Sequence, residues 1–406
     1  MRRCRRRLSV SRGRSAPGFA RPFSGFQSCG SDRCSPHLVA GVLLGSSAIL
    51  TVRGAASLQR HRHIFGAVRE RDRHVTWIGE ASLTASSGRS LWVAGAAIQQ
   101  ERYAAEDVAN FDYRFTAPAL FGHHTLTLTP ALLLTASARV DRHSAYGPQV
   151  APRVSALVRL GGGWTARVSG GGGYFAPTPF TEETEVIGLA RLTPLAGIRE
   201  ERARSGSVDL GGAIGPIETH LTAFGSVIEH PIGLRPLADD PLRVELVNLG
   251  APTRTSGAEL LLRWQPEPLH VTASYTFVRS TEMDPDAGVR RAAPLTPRHQ
   301  AGIVAMWERE EQARVGVELY YTGRQALDDN PYRDTSQPYV HMGILAERRF
   351  GGVRVFVNAE NLFGYRQTRH DPLVRPAPGL GGRWTTDVWG PLEGRVANAG
   401  VRVGGR

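Results

Sequence analysis

From about residue 47 to its end the chain alternates apolar and polar positions with a period of two. That spacing sends successive side chains to opposite faces of an extended strand. The clearest run is Leu126, Leu128, Pro130, Leu132, Leu134, Ala136, Ala138 and Val140, with Thr127, Thr129, Ala131, Leu133, Thr135, Ser137, Arg139 and Asp141 between them. It predicts one unbroken strand over residues 126–141. Strands of soluble proteins usually run about 5–6 residues, whereas a strand that crosses a membrane needs about 9–11. Val75, Trp77, Gly79, Ala81 and Leu83 repeat the pattern against Thr76, Ile78, Glu80, Ser82 and Thr84. So do segments starting at Leu50, Leu269 and Val315. Trp77, Tyr275, Phe277, Trp307 and Tyr321 fall near predicted strand ends, as expected of an interfacial aromatic girdle.

The connections sharpen this reading. Short turns are predicted at 86–89, 121–124, 161–163, 212–216, 265–268, 309–312 and 350–352. Long links are predicted at 102–110, 142–152, 175–200, 231–253, 281–297, 325–337 and 363–393. Short and long alternate, which is the habit of an outer-membrane barrel with tight turns on one side and large loops on the other. The expected fold is therefore all-β: a transmembrane antiparallel up-and-down β-barrel of about sixteen strands, with a seventeenth over Pro36–Leu44. The strands should join edge to edge into one wall. If the last strand, Val396–Val403, runs toward the periplasm, the long links lie outside the cell and the short turns in the periplasm. No helix-period segment and no tandem repeat stands out.

Composition alters the picture in two places. Mean hydropathy is slightly negative, and no apolar run is long enough for a transmembrane helix. A barrel escapes that test, because only alternate residues of a strand meet lipid. The net charge of +12 would suggest a nucleic-acid protein, but its location says otherwise. Every one of the 49 basic residues is Arg. Residues 1–34 hold nine of them against a single Asp, leaving a balance of only +4 for the rest. Residues 1–34 are thus expected to be a basic leader, disordered or misassigned, and residues 35–406 the barrel; no nucleic-acid partner is expected. Cys4, Cys29 and Cys34 are confined to that leader, so no disulfide framework supports the body.

Candidate chemistry is sparse. A chain without lysine has no Walker A or Schiff-base lysine, so Gly170–Gly173 is not a phosphate loop. There is no G-x-S-x-G and no H-E-x-x-H. No catalytic, cofactor or metal-binding residues are assigned, an enzyme is not expected, and the ligand-binding residues stay open. His61 and His63, at i and i+2, would share a strand face and could ligate a metal. Their neighbours Arg60 and Arg62 argue for a solvated rim at a strand end instead. His123 and His124 fall in a predicted turn. Thr181-Glu182-Glu183-Thr184-Glu185 reads as a solvated loop before a cation site. Glu259, Arg263, Glu318 and Arg324 point inward and suggest an ion-pair network in a filled lumen.

Several stretches resemble TonB-dependent outer-membrane receptors. Arg139-Val140-Asp141-Arg142-His143-Ser144, Tyr146-Gly147 and Ala151-Pro152-Arg153-Val154-Ser155 resemble the family's strand, loop and return strand. Trp164-Thr165-Ala166-Arg167-Val168-Ser169 with Gly173-Tyr174-Phe175-Ala176-Pro177 resembles its W-x-x-R-x-S…G-x-F-x-A-P arm. Ser256-Gly257-Ala258-Glu259, Thr272-Ala273-Ser274-Tyr275-Thr276, Pro297-Arg298-His299-Gln300, Leu319-Tyr320-Tyr321-Thr322-Gly323-Arg324-Gln325 and Val357-Asn358-Ala359-Glu360-Asn361-Leu362-Phe363 follow in the family's order. The resemblance implies a barrel of 22 strands around a plug, uptake of a scarce nutrient such as a ferric siderophore, and partnership with outer-membrane lipid and the TonB complex, as a monomer. No stretch resembles the family's TonB box or plug. The chain is therefore expected to be most of the barrel and, alone, inactive in energised uptake. The alternative expectation is a passive porin-like channel.

Overall fold

The computed structural model describes residues 27–45, 47–65, 68–181, 184 and 187–403. In chain order the strands are β1 (Gln27–Cys34), β2 (His37–Leu44), β3 (Ala48–Phe65), β4 (Val68–Ser87), β5 (Ser90–Ala105), β6 (Tyr113–Thr129) and β7 (Leu132–His143). Next come β8 (Gly147–Gly161), β9 (Trp164–Phe175), β10 (Glu201–Ile214), β11 (Ile217–Glu229), β12 (Ile232–Pro236), β13 (Val244–Asn248) and β14 (Thr253–Trp264). The last are β15 (Leu269–Met283), β16 (Arg290–Ala292), β17 (His299–Arg309), β18 (Ala313–Thr322), β19 (Tyr339–Phe350), β20 (Val353–Glu360) and β21 (Val396–Val403).

From β3 to β21 each wall strand pairs antiparallel with the next in chain order, while β12, β13 and β16 sit within loops. At the start, β1 pairs with Leu58–Phe65 and β2 with Ala48–Ala55, both along the same edge of β3. Pro36 separates them, and its carbonyl accepts the Ala56 N–H at 3.0 Å. They act as one strand position. The sheet of nineteen strands thus has seventeen wall positions, once β1 and β2 are merged and the three-residue β16 is left aside. Among the described residues no ladder joins β21 to β1 or β2, so the wall is one continuous meander with two edges.

The faces of this wall are inside out relative to a soluble protein. Along β7 and β8, Asp141 and Gln149 are 4% exposed and lie opposite one another, while Val150 and Val154 are each 60% exposed. Leu120 on β6 is 67% exposed and Val208 on β10 is 53% exposed. A soluble monomer rarely leaves an apolar patch beyond a few hundred Å² open to water. Here an aliphatic face runs along the whole wall, and the polar face is the sheltered one. Among the described residues no helix is long and apolar enough to cross a membrane; the crossing is made by strands.

Glycines within strands have a packing reason. A Cβ at Gly400 on β21 would stand 2.6 Å from the Phe356 ring of β20, and one at Gly257 on β14 would stand 2.6 Å from the Phe224 ring of β11. Each glycine lets an aromatic ring from the neighbouring strand lie flat across the sheet.

Four features differ from the sequence reading. The run 126–141 is a hairpin: β6 ends at Thr129, Pro130 and Ala131 form the turn, and β7 begins at Leu132. A two-residue turn alone would swap odd and even positions, as Thr129 opposite Leu132 shows, but a bulge at Leu128 sets Thr127 opposite Leu133, so the alternation passes through unbroken. The turn expected at 121–124 is instead the interior of β6. The long link expected at 142–152 shrinks to residues 144–146, because Pro148 is tolerated near the start of β8, opposite Arg142. Gly147, at φ 72°, closes that turn, and His143 Nδ1 accepts the Ala145 N–H at 3.2 Å. Finally, β1 falls within the span read as a leader.

Candidate functional site at the long-loop mouth

The long links all gather at one end of the wall and fold there. The β9–β10 link, residues 176–200, arches over β4. Glu70, at 5% exposure, accepts the N–H groups of Leu189 and Ala190 at 3.0 and 2.9 Å. Leu192, Val244 and Leu234 then join Tyr103, Phe111, Ile187, Leu189 and Leu246 in a small apolar core, the kind of packing that a soluble domain uses. The β12–β13 hairpin supplies one wall of that core. Arg191 Nη1 donates to the Gly381 carbonyl at 2.7 Å, tying the same link to residues 361–395 between β20 and β21.

That second link packs on residues 323–338. Asp371, 2% exposed, takes the indole N–H of Trp389 at 3.2 Å and the Arg333 guanidinium at 2.6 Å. The Gln325 amide donates to the Trp389 carbonyl at 2.9 Å. Burial pushes the Tyr365 phenol up to about 12, and its hydroxyl has no hydrogen-bond partner. Between β5 and β6, Arg71 grips Asp107 through bonds of 2.7 and 2.9 Å and holds that carboxyl below its ordinary range.

Beneath the β9–β10 link lies a cavity of about 450 Å³ against β3, β4, β5 and β6. His61, His63, Asp72, His74, Glu101 and Tyr103 contribute to its lining. His61 Nδ1 is 2.8 Å from Asp72 Oδ1, and His63 Nε2 is 3.8 Å from Asp72 Oδ2. Glu101 accepts from the Tyr113 hydroxyl at 2.5 Å and stands 3.0 Å from His74 Nε2. Strand alternation sorts the charges. His61, His63, Glu70, Asp72 and His74 share the sheltered face; Arg60, Arg62, Arg71 and Arg73 take the other, with Arg60 opposite Arg73 and Arg62 opposite Arg71.

The residues singled out from sequence separate accordingly. His61 and His63 share a face as their spacing predicted, within β3, and the adjacent arginines do not crowd them. His123 is bonded to Thr125 Oγ1 at 3.0 Å, whereas His124 stacks on Trp92 with ring centroids 3.5 Å apart. Glu182, Glu183 and Glu185 lie outside the described residues. Thr184 is buried and donates to the Pro179 carbonyl at 2.9 Å. Glu259, Arg263, Glu318 and Arg324 form no network: among the described residues none of the four makes an ion pair, and Glu318 instead accepts the Tyr320 hydroxyl at 3.3 Å. Asp72, Glu101 and Tyr103 were missed. The signal for Asp72 was available, since Glu70, Asp72 and His74 alternate with Arg69, Arg71 and Arg73 just as the histidines of β3 alternate with arginines.

A continuous antiparallel meander with an aliphatic exposed face, a polar sheltered face and folded long loops at one end defines a transmembrane β-barrel wall. The profile of the family described as TonB dependent receptor-like, beta-barrel matches residues 43–362. The chain belongs to that family, whose members are outer-membrane β-barrels. No curated protein matches the sequence. Among solved structures, it resembles a mutant of the ferric enterobactin receptor of Pseudomonas aeruginosa, at a TM-score of 0.71 and 14% identity, over 91% of this chain and 61% of that one. The FrpB iron transporter of Neisseria meningitidis gives 0.71 and 12%, over 91% and 62%. The siderophore receptor PirA of Acinetobacter baumannii gives 0.68 and 14%, over 91% and 62%. The chain therefore spans less than two thirds of the length of these structures.

Proposed function

We propose that this chain supplies the wall and external loops of an outer-membrane receptor that takes up a ferric siderophore or a similar scarce nutrient. The observation that carries this reading is the mouth. Its long links are folded onto one another and onto β4, as a specific ligand requires, since floppy loops would lose affinity to ordering. Solved structures of the same fold include a siderophore receptor and an iron transporter, which supports the substrate class. In this reading outer-membrane lipid meets the aliphatic face and the long links lie outside the cell. The chain works as a monomer, and the TonB complex is the partner of the coupled transporter.

Energised uptake in this family uses a plug and a TonB box, and no stretch of these residues resembles either. By themselves they bind ligand at the mouth and do not pump it. The test is import of a radiolabelled ferric siderophore panel into cells that make only this chain, with and without TonB. Ligand binding without TonB-dependent accumulation is the expected result; accumulation that needs TonB overturns it. Conductance in planar bilayers separates the porin-like alternative, which requires a stable open pore.

A further inference from the structure

We propose that His61, His63 and Asp72 form a binding site for a divalent first-row transition-metal cation on the sheltered face of the wall. Their ligand atoms lie within 4.8 Å of one another. Donors around a tetrahedral zinc ion stand roughly 3.3–3.5 Å apart, given metal–nitrogen and metal–oxygen distances near 2.0–2.1 Å. His61 Nδ1 lies 2.8 Å from Asp72 Oδ1 and His63 Nε2 lies 3.8 Å from Asp72 Oδ2, so each imidazole faces one carboxylate oxygen at near that spacing. Small side-chain rotations bring all three donors to one ion.

The second shell favours a cation. Gln59 Nε2 donates to Ser57 Oγ at 3.3 Å, so its oxygen faces His61 Nε2 at 3.2 Å and accepts from it. In neutral His61 the Nδ1 lone pair then points at the Asp72 carboxylate. A positive centre between the two, proton or metal, is what makes that contact attractive. An outer carboxamide that fixes the tautomer is the usual support of a ligating imidazole. Asp72 is 6% exposed, and among the described residues no arginine pairs with it; the two imidazoles are its neighbours. No guanidinium competes for it, because Arg60, Arg62, Arg71 and Arg73 face the other way. The neighbouring carboxylates are already engaged: Glu70 by two backbone N–H groups, Glu101 by His74 and Tyr113.

Two buried polar atoms on residues of this cavity lack a partner. The Tyr103 hydroxyl, on a residue only 2% exposed, lines the cavity without a hydrogen-bond partner; His63 Nδ1, the ring nitrogen other than the one nearest Asp72, has none either. Buried polar atoms without partners are rare and point to an absent group. Two imidazoles and one carboxylate suit zinc, with a position left open toward the cavity. The site stands whichever ligand the receptor imports.

The experiment uses the full chain folded in detergent micelles. Zn²⁺ is titrated by calorimetry, and Co²⁺ serves as an optical probe whose visible bands strengthen in four-coordinate sites. One site per chain is expected. His61→Gln with His63→Gln, and separately Asp72→Asn, should weaken it at least 100-fold. Arg60→Gln with Arg62→Gln, on the opposite face, should leave it within twofold. Strand circular dichroism must match in all variants, so that lost binding is not lost folding. Zn²⁺ affinity equal in the wild type and the folded His61→Gln/His63→Gln variant, or a Co²⁺ spectrum of six-coordinate aqueous type, overturns the proposal.

Discussion

The Glu70 carboxylate on β4 accepts the backbone N–H of Leu189 at 3.0 Å, across 119 residues of chain. It also takes the next N–H, of Ala190, so one buried anion anchors the β9–β10 link to the wall. Glu70→Gln keeps the shape and removes the charge. Hydrogen bonds to charged groups are worth about 1.5–3 kcal/mol, so local opening of residues 187–192 should become easier by that order. Hydrogen exchange at the Leu189 and Ala190 amides reads this directly; unchanged protection would show that the apolar core beneath, not Glu70, holds the link.

Tyr365 carries its hydroxyl into the loop core with no partner. Tyr365→Phe should therefore be neutral or stabilise by about 1 kcal/mol, since it removes an unsatisfied polar atom. The same burial raises the phenol to about 12, above the ordinary value near 10. A raised folded value gives stability that is complete below the unfolded value and lost as pH climbs toward the folded one. Between about pH 10 and about 12 the β20–β21 link should loosen in the wild type and not in the Phe variant. Limited proteolysis across that range compares the two.

Arg71 has the opposite consequence for Asp107, an exposed carboxyl held below its ordinary range by hydrogen bonding. A lowered folded value gives stability present above the unfolded value, about 3.9, and lost as pH falls below it. The β5–β6 link, residues 106–112, should become more protease-sensitive in acid. Asp107→Asn should show that sensitivity already at neutral pH, with no further change on acidification.

Gly257→Ala would drive a methyl group into the Phe224 ring and the Phe277 carbonyl. Overpacking of this kind costs about 1–3 kcal/mol. At Gly54 on β3 nothing lies within 4 Å of an added Cβ, so Gly54→Ala should be silent. The urea midpoint for unfolding from micelles, measured for both, distinguishes a general intolerance of Cβ atoms in the wall from this specific clash.

The wall was legible in the sequence because its code has a period of two and one face must be greasy. The polar Asp141 and the aliphatic Val140 follow from that rule alone. Turns were less legible where parity hides them. Pro130 and Ala131 turn the chain without breaking the alternation, and Pro148 looked like loop while sitting in β8. The mouth was least legible. That Glu70 meets Leu189, or that Arg333 meets Asp371, depends on how long links fold back, and no local spacing encodes it. For His61 the shared face with His63 was visible in the spacing, while Arg60 lies on the other face, because adjacent residues in a strand do not share surroundings.

The opposed arginines on the far side of that same register, Arg60 against Arg73 and Arg62 against Arg71, continue on to Arg102 against Arg114. Guanidinium groups do not enter hydrocarbon without heavy cost, although their stems tolerate its edge. Below them the same face turns to Leu58 and Val75, and on β5, past Gln100, to Ile98. The paired like charges thus draw a waterline across this stretch of the wall: the protein can sink into its bilayer to that row and no deeper.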